Sequence, residues 1–139
     1  MYQKIIIAGN LGRDPELRYL SDGTGVCNLN VATNHQYTKN GATVKETTWF
    51  RVSVWGKQAE SCNQYLRKGS KVLVEGRMTA DNATGGPRVY ESNGEKRASF
   101  EITAQTVCFL SSKGEDSAPA APQNAGAMLP PDDDSDLPF

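Results

Sequence analysis

The segment TTWFRVSVWGK, residues 47–57, decides the fold of this chain. Written as a β-strand, it sends one phenylalanine and two valines to one face, which is an ordinary core face. The other face carries both tryptophans of the chain, Trp49 and Trp55, with Arg51 between them. An indole ring in water leaves a large apolar area wetted. This second face is therefore either solvent or a binding surface.

Further strand-like segments lie on both sides of this one. Each has β-branched residues or an alternation of apolar and polar side chains, which is typical of strands. A short extra strand is predicted near 17–19. Two polar segments, 34–46 and 79–97, are predicted as hairpin loops, the first either tight around Asn40-Gly41 or long and flexible. The four further segments are 4–10, 26–33, 71–78 and 98–110.

The period of the apolar residues changes after the strand segment 47–55. Ala59, Cys62 and Leu66 have the spacing of an amphipathic helix, which we expect to end at Gly69. The predicted order is three strands, one helix and two strands. That order favours an all-β fold, the five-stranded OB-fold barrel with one helix between strands 3 and 4. A small Greek-key barrel of another type is the alternative.

Charge and composition divide the chain in two. Residues 1–111 carry 14 Lys and Arg against 10 Asp and Glu, whereas residues 112–139 carry one Lys against six acids. The second part consists mainly of Ser, Ala, Pro, Gly and acids, which cannot bury enough apolar surface to order a chain. We therefore predict a folded domain over 1–111 and a disordered linker and acidic tail over 112–139. A basic body favours a polyanionic partner.

The sequence shows no pattern for a metal, a cofactor or catalysis. Cys27, Cys62 and Cys108 are widely spaced with no CxxC, and His35 is the only histidine. Cys27 and Cys108 lie in strand-like runs, where we expect buried thiols. No signal peptide and no membrane span are visible, so we expect a soluble cytoplasmic protein in a reducing compartment, with no membrane partner.

The tryptophan face matches what single-stranded nucleic acid requires. Bases stack on aromatic rings whatever their identity, and phosphates pair with Lys or Arg. The alternative is that one tryptophan packs beneath the 34–46 loop or against a neighbouring subunit. The other candidate contacts are basic side chains and two loop tyrosines: Arg51, Lys57, Arg77, Arg13, Arg18, Arg67, Lys68, Lys71, Arg88, Tyr37 and Tyr90.

Four segments in collinear order resemble bacterial single-stranded DNA-binding proteins. The resemblance implies a homotetrameric OB-fold that wraps single-stranded DNA, associates with the nucleoid, and serves replication, recombination and repair. On matching positions it implies stacking by Trp49, Trp55 and Tyr37, and DNA-facing basic residues at Arg51, Lys57 and Arg77; Phe50 matches a subunit contact. The segments are GNLGRDPELRY (9–19), TTWFRVSVWGK (47–57), YLRKGSKVLVEGR (65–77) and DDDSDLPF (132–139).

The last segment resembles the acidic tip with which that family docks on replication and repair proteins. A terminal phenylalanine offers a ring and a carboxylate together, which suits an apolar pocket with a basic rim. The acids add steering charge, and the proline lowers the ordering cost. Ser135 interrupts a run of Asp that is usually unbroken in the family. The predicted partner-binding residues are Asp132, Asp133, Asp134, Asp136, Leu137, Pro138 and Phe139.

Three hypotheses follow from the sequence. The first is a sequence-tolerant binder of single-stranded DNA that recruits partners through its tail. The second is an adaptor whose barrel is only a scaffold for the tail, and the third is a hydrolase or other enzyme. The preference for DNA over RNA comes from the resemblance, because no residue pattern here excludes a 2′-hydroxyl.

Overall fold

The structure is a computed structural model that describes residues 1–111. The predicted tail and its tip, residues 112–139, lie outside the described residues. The described part contains seven strands and one helix. In chain order they are β1 (Ile5–Leu11), β2 (Glu16–Tyr19), β3 (Gly25–Lys39), β4 (Ala42–Trp55), α1 (Lys57–Tyr65), β5 (Lys71–Met78), β6 (Arg88–Ser92) and β7 (Glu95–Phe109).

Five of the strands close into a barrel in the order β1-β5-β7-β4-β3 and back to β1. The closing pair joins Asn10 to Ala32 and Leu11 to Val31. Strands β4 and β7 run parallel, and the other pairs in the barrel are antiparallel. Strand β2 extends the sheet beside β3, and β6 forms a hairpin with β7. A closed five-stranded barrel with one helix between its third and fourth strands confirms the predicted OB-fold.

The core lies inside the barrel and follows the alternation of the strands. On β4, Val52 and Val54 are fully buried, and Phe50 is half-buried at the end of the same face. The predicted helix face is also confirmed, because its three apolar side chains are buried against the barrel. The buried core comprises Ile7, Leu11, Cys27, Leu29, Val31, Val52, Val54, Ala59, Cys62, Leu66, Val72, Val74 and Ile102.

The helix ends four residues earlier than predicted, at Tyr65. Leu66 is already extended, with φ −98° and ψ 150°, so its side chain can join the core. Gly69 has φ 91° but lies in a separate turn, where the Ser70 amide donates to the Arg67 carbonyl at 3.0 Å. The glycine therefore serves this turn and does not cap the helix.

The polar segment 34–46 is almost entirely paired strand, whereas in 79–97 only residues 88–92 and 95–97 are strand. Strands β3 and β4 continue to a two-residue turn, Asn40-Gly41, with φ 51° and 75°, so the tight-hairpin alternative is correct. Strands β6 and β7 meet at a second turn of the same kind, Asn93-Gly94. Most side chains of both ribbons are exposed, so the ribbons lack the apolar alternation of a core strand, and their polar composition hid the pairing.

A β-bulge in β7 makes the prediction of a buried Cys108 wrong. Thr106 pairs with Glu75, but the next pair is Ala104 with Gly76, so Gln105 is an extra residue. One extra residue reverses which side chains face inward. Val107 therefore joins the core, and Cys108 is exposed.

The side chain of Gln58 on α1 fastens this bulge to the helix. Its Nε2 donates to the Gln105 carbonyl at 2.8 Å, and its Oε1 accepts from the Val107 amide at 3.1 Å. The irregular strand thus has partners for the polar groups that a regular ladder would have paired.

Candidate nucleic-acid interface

The outward face of β3 and β4 carries the tryptophans, as the alternation predicted. Trp49 and Trp55 are 53% and 45% exposed, whereas the inward valines between them have no exposure. Directly paired residues of antiparallel strands share a face. Trp49 lies opposite Ala32 and Arg51 lies opposite Asn30. A small partner leaves the ring of Trp49 uncovered on the β3 side.

A groove of about 200 Å³ surrounds Trp49. It brings together four of the predicted contacts, which come from the first loop, from β4 and from the β6–β7 hairpin. Two of the four are aromatic and two are guanidinium groups. The lining residues are Arg13, Asn30, Trp49, Phe50, Arg51, Tyr90, Ala98 and Ser99.

Asn30 holds one of the guanidinium groups in place. With the amide turned so that its oxygen faces Arg13, that oxygen accepts from Nη2 at 2.8 Å and from Nε at 3.0 Å. Arg13 also lies 3.9 Å from Glu16. The predicted site did not include Asn30, although it stands on the polar side of an alternating strand and so could have been found.

Trp55 lies at the other end of β4, separate from the groove. Six residues of strand place the two tryptophans about 20 Å apart. Trp55 lies opposite Val26, and Val26 lies opposite Arg18 of β2, so the three share a face. Lys57 follows at the start of α1. The two indoles therefore lie exposed at two separate positions, each with a basic residue near it in the fold.

Two more predicted basic residues lie on β5 and β6. Arg77 lies opposite Thr103, which is paired with Ser53 of β4. Arg88 approaches Glu101, with Nη1 and Oε1 3.6 Å apart.

Glu101 is an acid within this basic surface that the predicted site did not include. It is the β7 neighbour of Arg51, and its side chain is only 18% exposed. Its carboxylate partly offsets the charge of the Arg88 guanidinium group. No local signal in the sequence distinguishes it from a solvated acid.

The remaining predicted contacts do not line the groove. Tyr37 is an even number of residues from the inward-facing residues of β3, so it lies on the face opposite to the tryptophans. Its hydroxyl donates to Glu46 Oε1 at 3.1 Å. Its ring lies 5.9 Å from that of His35. The other three surround the turn after the helix, where the Lys68 amide donates to Asp14 Oδ1 at 2.8 Å. These three are Arg67, Lys68 and Lys71.

Buried thiols offer no reactive or metal-binding group. Burial raises the pKa of Cys27 to about 11 and that of Cys62 to about 12, so both stay protonated at neutral pH. Over residues 1–111, His, Cys, Asp and Glu form no cluster of three or more that would hold a metal ion. In the same part of the chain, no helix has the length and apolarity to cross a membrane.

A closed OB barrel with exposed indoles and guanidinium groups on its outer face belongs to a recognised class, the OB-fold domains that accommodate single-stranded nucleic acid. The model of the single-strand binding protein family matches residues 2–110, and the chain belongs to this family.

Relatives and solved structures agree with this assignment. The single-stranded DNA-binding protein of Wolinella succinogenes is 41% identical over 82% of this chain and 67% of its own length. That of Neisseria meningitidis is 37% identical over 88% of this chain and 67% of its own length. The chain thus spans about two thirds of these curated relatives.

Two solved structures share the fold. A deletion variant of the single-stranded DNA binding protein from Thermus aquaticus matches with a TM-score of 0.62 and 28% identity, covering 81% of this chain and 52% of that one. A small single-stranded DNA-binding protein from Streptomyces coelicolor matches with a TM-score of 0.65 and 24% identity, covering 78% and 95%.

Proposed function

We propose that this chain binds and protects single-stranded DNA without base preference during replication, recombination and repair. One observation carries the proposal: Trp49 stands half-exposed in a groove that two arginines also line, and a second half-exposed indole lies further along the same strand. Stacking on an aromatic ring tolerates any base, and guanidinium groups pair with phosphates. The described residues also carry a net charge of +4 from their Lys, Arg, Asp and Glu, which suits a polyanion.

The direct test is tryptophan fluorescence during titration with oligothymidylate. Stacked bases should quench both indoles in proportion to the occupied sites. An oligonucleotide that binds without quenching would show that the bases do not contact the tryptophans.

The affinity for DNA should fall as salt rises, because bound phosphates release counterions. The slope of log K against log salt is about −0.7 for each phosphate neutralised on a single strand. Arg51→Gln should make that slope shallower by about 0.7. Fluorescence anisotropy of a labelled oligothymidylate over a salt series measures it.

Lys4→Gln is the matched control for this charge change. Lys4 forms an ion pair with Glu75 at 3.1 Å, away from the groove, and its loss should leave the slope unchanged. Equal salt slopes in the two variants would show that Arg51 does not contact a phosphate.

We also propose that the chain forms a homo-oligomer. The family resemblance implies that this oligomer is a tetramer. Exposed apolar side chains support it: Ile6 on β1 is 56% exposed, Phe100 on β7 is 51% exposed, and Leu110 is 48% exposed. Sedimentation equilibrium gives the subunit count. A monomer at micromolar concentration would contradict the proposal.

Residues 1–111 are proposed as the DNA-binding domain and residues 112–139 as a linker with a partner-binding tip. Deleting 132–139 should leave DNA affinity unchanged and weaken binding to replication and repair proteins by at least about tenfold. Burying one phenylalanine is worth about 1.5–3 kcal/mol, which sets that minimum. A pull-down from bacterial extract, compared with Phe139→Ala, measures it. Partners retained equally by the truncated chain would contradict the role of the tip.

Two finer parts of the proposal concern activity and place. We propose that the chain works in the cytoplasm on the nucleoid and is not an enzyme. The adaptor hypothesis differs from this proposal because it assigns no DNA contact to the tryptophans. The tryptophan variants argued in the Discussion separate these two hypotheses.

A further inference from the structure

Gly12 lies against the Cζ3–Cη2 edge of the ring of Trp49. A Cβ built on Gly12 would overlap Cζ3 of the indole, lie 2.5 Å from Cη2 and 3.6 Å from Cε3. Real Cβ atoms do not approach other heavy atoms so closely, because van der Waals contact between carbon atoms begins near 3.5 Å. The six-membered ring can occupy its position only because residue 12 has no side chain.

The main chain at this point is anchored and cannot yield. The Gly12 amide donates to the Asn30 carbonyl at 2.9 Å, and the preceding Leu11 exchanges two hydrogen bonds with the turn at Gly69 and Ser70, at 2.8 and 2.9 Å. The ring of Trp49, in contrast, is half-exposed and ends a side chain with two rotatable bonds. A methyl group at position 12 would therefore displace the ring and leave the barrel intact.

We propose that Gly12 is a positioning residue for Trp49: by its lack of a side chain it sets the orientation in which the indole meets a base. This inference rests on the proposed function, because it assumes that Trp49 stacks. The next residue, Arg13, is held by Asn30 in the same groove. Residues 12 and 13 thus place the ring and a guanidinium group relative to each other.

The test is a double-mutant cycle between Gly12→Ala and Trp49→Ala, read by the affinity for labelled oligothymidylate at fixed salt. Gly12→Ala should weaken binding by about fivefold to about 150-fold when Trp49 is present, the range for one lost stacked base. In the Trp49→Ala protein the same change should alter affinity by less than about twofold.

A second readout does not depend on DNA. With Trp55→Phe as background, Trp49 is the only tryptophan. Its emission, excited selectively, should shift to the red in the Gly12→Ala protein as the ring leaves the main chain. The melting temperature should change by no more than about 4 °C, as for a surface substitution. In a Trp49→Phe protein, whose smaller ring lacks Cζ3 and Cη2, Gly12→Ala should leave the affinity for oligothymidylate almost unchanged.

Each other outcome decides the matter. If Trp49→Ala weakens binding and Gly12→Ala does not, the inference is wrong and the proposed function stands. If Trp49→Ala has no effect, the proposed role of Trp49 fails, and the inference fails with it. Equal losses in both backgrounds, or unfolding of the Gly12→Ala protein, would show that Gly12 acts on something other than the ring.

Discussion

Replacing both tryptophans with alanine should lower the affinity for single-stranded oligothymidylate by about 30-fold to about 10⁴-fold. Each stacked base contributes about 1–3 kcal/mol, and every 1.4 kcal/mol is a factor of ten. The two losses should add, because Trp49 and Trp55 lie about 20 Å apart on one strand and share no cross-strand partner. Neither variant creates a cavity, since both rings are about half-exposed.

Anisotropy of a labelled oligonucleotide measures this loss of affinity. It does not depend on tryptophan fluorescence, which the double variant lacks. Tyr65→Ala is the matched control, because Tyr65 is 49% exposed but lies at the end of the helix beside Phe109 and outside the groove. Its affinity should be unchanged. Thermal melts of the three proteins should show that the barrel remains folded. A loss below about fivefold for the double variant would favour the adaptor hypothesis.

Gly9→Ala should lower the free energy of unfolding by about 3 kcal/mol, the upper end of the usual cost of overpacking. A Cβ at Gly9 would overlap the Ala32 carbonyl oxygen and lie 2.9 Å from its carbon and 3.0 Å from Val31 Cγ1. Gly9 is paired on its other side with Val72. The substitution falls next to the pairs that close the barrel, and the atoms in its way are main chain.

Urea unfolding followed by circular dichroism measures this change. Gly86→Ala is the control, because a Cβ there would meet only Thr84 Oγ1, at 3.6 Å, and its stability should change by less than about 0.5 kcal/mol. Equal stabilities for the two variants would mean that β1 and β3 are not packed as described. Gly9 and Gly12 thus differ in what must move: main chain at the first, an exposed ring at the second.

Local sequence patterns predicted well the elements in which the apolar side chains all lie on one face. The alternation over 47–55 placed Trp49 and Arg51 outward, and the spacing of Ala59 and Cys62 placed a helix against the core. Strand β5 was predicted with its observed bounds. In each case the residues concerned lie within a few positions of one another, so period and burial agree.

The elements predicted less well depend on pairing with a distant strand. Polar composition suggested loops where the ribbons of β3–β4 and β6–β7 are paired nearly to their turns. Unbroken alternation along β7 predicts a buried Cys108, but the bulge at Gln105 interrupts that alternation. Tyr37 is a candidate contact because of its polar segment and the family resemblance, and its side chain alternates with the face opposite to the tryptophans.

The sequence by itself determined the fold class, the two faces of β4 and the family, because periodicity is a property of neighbouring residues and motifs are recognised from their residues and their order along the chain. Only the tertiary structure decided that Gly12 lies against the edge of the Trp49 ring, that Asn30 holds Arg13, and that Glu101 lies beside Arg88 and Arg51. These contacts join residues brought together by barrel closure and strand register. Register depends on the whole sheet, so it cannot be read from the period of any one strand.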